Sequence, residues 1–325
     1  MSTFKYVVKR LLLAILTFYI IISVAFLLVR MLPNEVVAQF GKDTDLLIQQ
    51  RVRQGILRPD GSAVPLAEQY WNFLTRSLIG LNWGVSEKLY PMQDVLTVFL
   101  SKLPATILVN SYSALFAVPM GLILGIYAAL KKNKWQDHLI STGVMVLVSV
   151  PSYVYAFLIQ YFLCFKLKWF PLVMNSGTDY FTWDMFRSMV PAVLALSLGS
   201  IAGYARFTRA ELTEVLTSEF LLLARTKGLT RTQTTVRHAL RNAMVPIFPS
   251  IISEVIAVLG GSLIIENIFV VPGVGPLYTQ SITARDYNFF VLLSAFYTLI
   301  GLVAGIVVDV SYGIIDPRIR MGSRK

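Results

Sequence analysis

Glu254 is the only acid in the apolar run "PSIISEVIAVLGGSLII" (Pro249–Ile265). An ionised carboxylate in the middle of a membrane-length run costs roughly 2.5–3.5 kcal/mol to insert, so its presence calls for a reason. Two chemistries suit it. Glu254 can face a path through the protein and meet a cationic group or a proton. It can also be a protonated or hydrogen-bonded acid at a helix interface. Other catalytic chemistries find no support. Cys164 is the only cysteine and lies within apolar sequence, so no intrachain disulfide or cysteine metal site can form. His138 and His238 are read as lying in loops outside the spans, which argues against an intramembrane Ser–His pair or histidine metal site. "GGSL" (Gly260–Leu263) reads as small residues for close helix packing rather than a serine nucleophile. "VVPGVGPL" (Val270–Leu277) has no lysine after its glycines and cannot cradle phosphate, and no GxxxxGK[ST] occurs anywhere. Its Pro and Gly residues predict a tight turn.

These residues need a frame. The chain has 325 residues, of which 55% are hydrophobic and 14% charged, a balance that excludes an ordinary soluble domain. Six segments are predicted to cross a bilayer: Leu11–Val29, Leu103–Leu130, Leu139–Phe165, Ser188–Ala205, Asn242–Ile265 and Tyr287–Val308. The first is too long for a signal peptide and lacks a small-residue cleavage site. Pro104 and Pro191 are expected near helix starts, whereas Pro151, Pro246 and Pro249 should kink or loosen their helices. The net charge of +11 raises the question of nucleic acid. Position answers it. Lys5, Lys9, Arg10, Lys131, Lys132, Lys134, the 206–241 segment and Arg318, Arg320, Arg324 and Lys325 hold about 17 of the 29 basic residues. They fall on one side of the six spans, against anionic lipid, with no nucleic-acid role. Both termini are then cytoplasmic. The 32–102 segment becomes an extracytoplasmic cap with turn signals at "RPDGS" (Arg58–Ser62) and "LNWGVS" (Leu81–Ser86). No internal repeat is present, and 1–325 reads as a single transmembrane domain. Asp309, at the cytoplasmic end of the sixth span, is expected to pair with an arginine.

The segment "EFLLLARTKGLTRTQTTVRHALRNAMVP" (Glu219–Pro246) is basic and helix-prone between two apolar runs. Thr217 or Ser218 can cap a helix that opens on Glu219, with Arg225 and Lys227 in its last turn and Gly228 as a left-handed stop. "TRTQ" (Thr230–Gln233) reads as a capping box opening a second helix that runs into the fifth span. Phe220, Leu221, Leu222 and Leu223 are consecutive, so they cannot all face the bundle. The first helix either docks into a groove on a partner or lies in the lipid interface.

This segment resembles the cytoplasmic coupling loop of ABC-importer permeases, in the branch that carries dipeptides, oligopeptides and nickel. The resemblance rests on "ARTKGL" (Ala224–Leu229) and "RHALRNA" (Arg237–Ala243), and continues through "RMLP" (Arg30–Pro33), "ARFTRAELTEVL" (Ala205–Leu216), "ENIFVVPGVGPL" (Glu266–Leu277), "RDY" (Arg285–Tyr287) and "DPRIR" (Asp316–Arg320). Two features depart from the general importer pattern. Leu222-Leu223-Ala224 stands where Glu-Ala-Ala is usual, and Glu254 where the family commonly has glutamine.

The resemblance implies an all-α integral membrane protein with six transmembrane helices of the type I ABC importer permease kind. It implies that Glu219, Phe220, Leu222, Leu223, Ala224, Arg225, Lys227 and Gly228 form an ATPase-coupling element within a 206–241 cytoplasmic hairpin. By the same likeness Pro272, Gly273 and Gly275 belong to an external loop or gate. The expected partners are a second permease, two cytosolic ATPases that hold ATP and Mg, an extracytoplasmic substrate-binding protein and a peptide substrate. This chain itself would bind no cofactor and catalyse no reaction, and it would sit in a prokaryotic inner or plasma membrane. In that frame Glu254 would meet a peptide amino terminus or a proton on the path. A stand-alone secondary carrier or channel, with Glu254 as its coupling acid, is the alternative, although no second half mirrors the first. Nickel or another small solute is the alternative cargo within the family.

Overall fold

The computed structural model describes residues 3–31, 48–49, 51–52, 55–177 and 179–315. Arg318, Arg320, Arg324, Lys325 and the "DPRIR" motif lie outside the described residues, as do residues 32–47, 50, 53 and 54 of the cap segment, which include Leu32 and Pro33 of "RMLP". The described residues are almost wholly helical, with two isolated β-bridges, Leu57 to Ala63 and Val85 to Asp94. In chain order the helices are α1 (Thr3–Met31), α2 (Leu66–Leu74), α3 (Val95–Leu130), α4 (Trp135–Ser149), α5 (Ser152–Ile159), α6 (Trp183–Leu216), α7 (Glu219–Thr226), α8 (Arg231–Thr234), α9 (Leu240–Ala257), α10 (Leu263–Ile268), α11 (Val274–Ala284) and α12 (Tyr287–Ile315). Single π-helical turns extend α2 (Thr75–Ile79) and α5 (Gln160–Lys166) and join α8 to α9 (Thr235–Ala239).

Among the described residues five helices are long and apolar enough to cross a membrane, and six if the bent pair α4–α5 counts as one span. Leu12, Ile15, Leu16, Ile20 and Leu28 of α1 are exposed apolar side chains. A helix that shows such residues to its surroundings is stable only where those surroundings are lipid.

Several expected boundaries are corrected. The third span is not continuous: at Val150 and Pro151 the backbone is extended, and the axis turns through 101°. Proline there removes the N–H of the next turn and forces Val150 out of helical geometry. Pro246 and Pro249, by contrast, pass within an unbroken α9. Pro104 and Pro191 are not near helix starts, because α3 begins at Val95 and α6 at Trp183. The fifth span ends at Ala257 rather than Ile265, which belongs to the separate α10. His138 and His238 lie within helical turns, not loops.

The chain divides into two compact units. In the larger (Met1–Leu12, Lys102–Pro276 and Ile300–Lys325), α3 crosses α6 at Gly121 and Gly125. A Cβ on Gly121 would stand 2.6 Å from the Tyr204 Cβ, and one on Gly125 2.6 Å from the Ala205 carbonyl oxygen. Glycine alone permits that approach, the four-residue spacing putting both on one helix face. Arg10 pairs with Asp309 at 2.7 Å, the arginine partner expected of that acid. A core of Ala105, Val109, Ala156, Met185, Met189, Ile265 and Phe269 joins α3, α5, α6 and α10.

The smaller unit comprises Leu13–Ser101 and Leu277–Leu299. In it α2 packs on α1 by stacking Phe73 on Phe26 at 4.9 Å and by a Ser23–Tyr70 hydroxyl pair at 2.5 Å. The buried Asp286 of "RDY" gathers four donors on one oxygen: the Ser86 hydroxyl at 2.6 Å and the Glu87, Lys88 and Leu89 amides at 3.0–3.1 Å. Three successive N–H groups form a small anion nest, and Asp286 fills it.

Candidate functional site

Three groups of residues in the larger unit carry the candidate sites. The first is the helical hairpin. Helix α7 runs Glu219–Thr226, and Gly228 takes φ +90°, the left-handed stop predicted for it. Ser218 occupies the N-cap position without capping. Its hydroxyl turns back to the Val215 carbonyl at 2.5 Å, while Thr217 bonds the Glu214 carbonyl at 2.9 Å. The capping box is present as read: the Gln233 amide donates to Thr230 Oγ1 at 3.3 Å, and the Thr230 amide to Gln233 Oε1 at 3.0 Å. Thr234 and Thr235 then bond carbonyls four residues back, at 2.8 and 2.9 Å, where the helix loosens into its π turn.

The four consecutive apolar residues divide. Leu221 is 1% exposed and packs against Ala129, Leu212, Ala239 and Ala243 at the ends of α3, α6 and α9. Phe220, Leu222 and Leu223 are 44%, 57% and 57% exposed. Ala224 is half-buried, and Glu219, Arg225 and Lys227 are exposed. One leucine holds the helix and the others are presented outward. Behind the hairpin, Arg209 of α6 grips the buried Asp137 of α4 in a two-pronged ion pair, Nε to Oδ1 at 2.5 Å and Nη2 to Oδ2 at 2.8 Å. The Asn133 amide adds a bond at 2.9 Å and the Ser141 hydroxyl one at 3.2 Å. The turn between α3 and α4 is thereby tied to the rod that leads into α7.

The second site is a hollow of about 120 Å³ lined by Asn110, Ser113, Ser200, Glu254, Gly261 and Ser262, with Leu196, Val258 and two alanines. Glu254 is partly buried and accepts a hydrogen bond from Ser200 Oγ at 2.9 Å.

The third was not singled out in the sequence. Glu266 is fully buried in the first turn of α10, and four donors surround its carboxylate. Oε2 accepts from the Gly275 amide and Thr106 Oγ1, each at 3.0 Å. Oε1 accepts from the Ser262 amide at 3.1 Å and Asn110 Nδ2 at 3.4 Å. Thr106 Oγ1 also receives the Val274 amide at 2.8 Å. Burial pushes the carboxyl above its usual range, and these bonds pull the other way.

The glycines explain themselves against this acid. Gly273 and Gly275 are buried, and a Cβ on Gly275 would lie 2.9 Å from Glu266 Oε2. A Cβ on Gly273 would overlap Thr106 Oγ1. Pro272 precedes them, half-buried, in the tight turn closed by the Gly273 amide on the Val271 carbonyl at 2.7 Å. Gly261 has φ +66° and faces Glu266 Oε1. "GGSL" is therefore a break between helices, with Ser262 capping α10, and not a helix-packing stripe. Gly261→Ala should lower the thermal midpoint in detergent by the equivalent of about 1–3 kcal/mol, through strain and overlap. Gly143→Ala is the control, because nothing lies within 4 Å of its Cβ position.

Residues 121–321 match the family model described as "Binding-protein-dependent transport system inner membrane component". The chain is 31% identical over 317 residues to Dipeptide transport system permease protein DppB of Lactococcus lactis subsp. cremoris (strain MG1363), covering 98% of this chain and 99% of that protein. It is 32% identical over 317 residues to Glutathione transport system permease protein GsiC of Escherichia coli (strain K12), covering 97% and 99%. Among solved structures, an amino acid ABC transporter with histidines superposes with a TM-score of 0.50 at 21% identity, covering 67% of this chain and 94% of that one. The MetNI methionine ABC transporter gives 0.50 at 17% identity, covering 66% and 97%. With residues 121–321 matching the family model and relatives aligned over nearly their full length, the chain belongs to the family of binding-protein-dependent transport system inner membrane components, the permease subunits of ABC importers.

Proposed function

We propose that this permease imports di- or oligopeptides, or a small peptide such as glutathione, across a prokaryotic inner or plasma membrane, with both termini in the cytoplasm. It lines the path together with a second, related permease. An extracytoplasmic binding protein delivers the solute, and two cytosolic ATPases holding ATP and Mg drive the cycle. The observation that carries this reading is the outward face of α7: Phe220, Leu222 and Leu223 exposed on a helix whose Leu221 is locked into the bundle. Such a face suits a groove on an ATPase. Movement of the ATPases then passes through α7 and the Asp137–Arg209 clasp to α6 and α4, and the path opens alternately to each side. Likeness to a dipeptide and a glutathione permease supports the cargo class. Glu254, in a polar hollow with Ser200, supports a path that meets the solute's amino group.

Co-expression with the candidate ATPases and binding protein tests the reading. The complex should co-purify and take up peptide only with ATP. Uptake by this chain alone in liposomes without ATP would overturn it in favour of a secondary carrier with Glu254 as coupling acid. Glu254→Gln should change the relative uptake of cationic, neutral and anionic peptides, and unchanged uptake of all three removes Glu254 from the path.

A further inference from the structure

Asn110 belongs to both the hollow and the Glu266 cluster. Its amide nitrogen has two partners, the Thr106 carbonyl at 2.8 Å and Glu266 Oε1 at 3.4 Å. A backbone carbonyl and a carboxylate can only accept, so the NH2 end of the amide must face them. The carbonyl end is left for the hollow that Asn110 lines. No lysine, arginine or histidine contributes to that lining. The Ser113 hydroxyl is engaged with Ser197 at 3.2 Å, and the Ser200 hydroxyl with Glu254 at 2.9 Å. What the hollow offers a visitor is therefore acceptors: the Glu254 carboxylate and the Asn110 carbonyl. At about 120 Å³ it has room for about four waters at ~30 Å³ each. That admits an ammonium with its first carbon atoms and excludes a whole dipeptide.

We infer that Glu266 is a positioning residue for solute recognition: it fixes the Asn110 amide so that Asn110 and Glu254 together accept the primary ammonium of the transported peptide. The inference rests on the proposed path through the Glu254 hollow. Glu266 does not itself touch the solute. With glutamine at 266, an NH2 group replaces one carboxylate oxygen and cannot accept from the donors around it; placed at the Oε1 position it presents a donor to Asn110, whose amide is then free to turn over.

The complete transporter in ATP-loaded proteoliposomes tests this with one dipeptide supplied either with a free amino terminus or N-acetylated. Each is given at a concentration that saturates the binding protein. Rates are read as variant over wild type for each peptide, so the binding protein's own preference cancels, and the ratio between peptides is insensitive to the fraction of transporter folded. Asn110→Leu and Glu266→Gln should each slow the free-amino peptide about tenfold, the effect of one hydrogen bond to a charged group. The acetylated peptide should change less than about twofold. Asn110→Leu leaves three donors on Glu266 and tests Asn110 itself; if Glu266→Gln does not fold, Glu266→Asp, which keeps the charge but draws the carboxylate back from Asn110, tests the positioning role with the same expected ratio. Equal slowing of both peptides, or slowing of neither, overturns the inference. Glu254→Gln in the same assay separates the two readings. If it alone abolishes the preference, the path stands and the Glu266–Asn110 role falls; if it too leaves the preference intact, both fall.

Discussion

Aspartate at both Leu222 and Leu223 should reduce ATP-dependent uptake at least about a hundredfold while the chain remains inserted and folded. Both side chains are 57% exposed, and nothing in the bundle depends on them. Substitutions at such positions usually change stability by no more than about 0.5 kcal/mol. Seated in an ATPase groove, each leucine would contribute roughly 1.5–3 kcal/mol. Loss of two, together with the cost of pressing two carboxylates against an apolar groove, exceeds the ~2.8 kcal/mol that a hundredfold change in affinity requires. The measurement is co-purification of the ATPases together with peptide uptake, and wild-type values for both would move the docking face elsewhere. Leu221→Asp is the informative contrast. It places a charge among Ala129, Leu212, Ala239 and Ala243, so it should unseat α7 and lower stability as well as coupling.

Arg209→Leu should destabilise the permease by about 3 kcal/mol, seen as a fall of several degrees in its thermal midpoint in detergent. The reason is what it leaves behind. Asp137 is 1% exposed, and without the guanidinium its charge keeps only the Asn133 amide and the Ser141 hydroxyl. Removing both charges should cost less, so Asp137→Leu with Arg209→Leu should be more stable than Arg209→Leu alone. Equal midpoints for the single and double variants would show that the pair carries little of the stability. Because the clasp ties the turn before α4 to the helix leading into α7, the double variant should still lose uptake per ATP hydrolysed.

Features that depend on neighbours in sequence were legible. The capping box needs only Thr230 and Gln233, three residues apart, and Gly228 needs only its own backbone freedom. The split of the leucines followed from helical geometry, which cannot point four successive side chains one way. The bend at Pro151 was legible as a kink but not as a turn of 101°. Proline sets where a helix breaks; packing of the flanking segments sets the angle.

The sites that depend on distant partners were not legible. Glu266 looked like one letter of a motif, because Thr106 and Asn110 lie 160 and 156 residues away. Asp286 looked the same, its donors nearly 200 residues back. Glu254, conspicuous as a lone acid, proved to share a polar hollow with Ser200 of α6, its hydrogen-bond donor, and with Asn110 and Ser113 of α3. The sequence by itself determined a helical membrane protein, the order of its apolar spans, the hairpin and the family. Apolar run length, caps and glycines act within a few residues, so they can be read along the chain. Only the tertiary structure decided which carboxylates are buried, what their oxygens accept and which glycines admit no side chain. Those depend on segments brought together by packing across more than a hundred residues, for which local periodicity carries no signal.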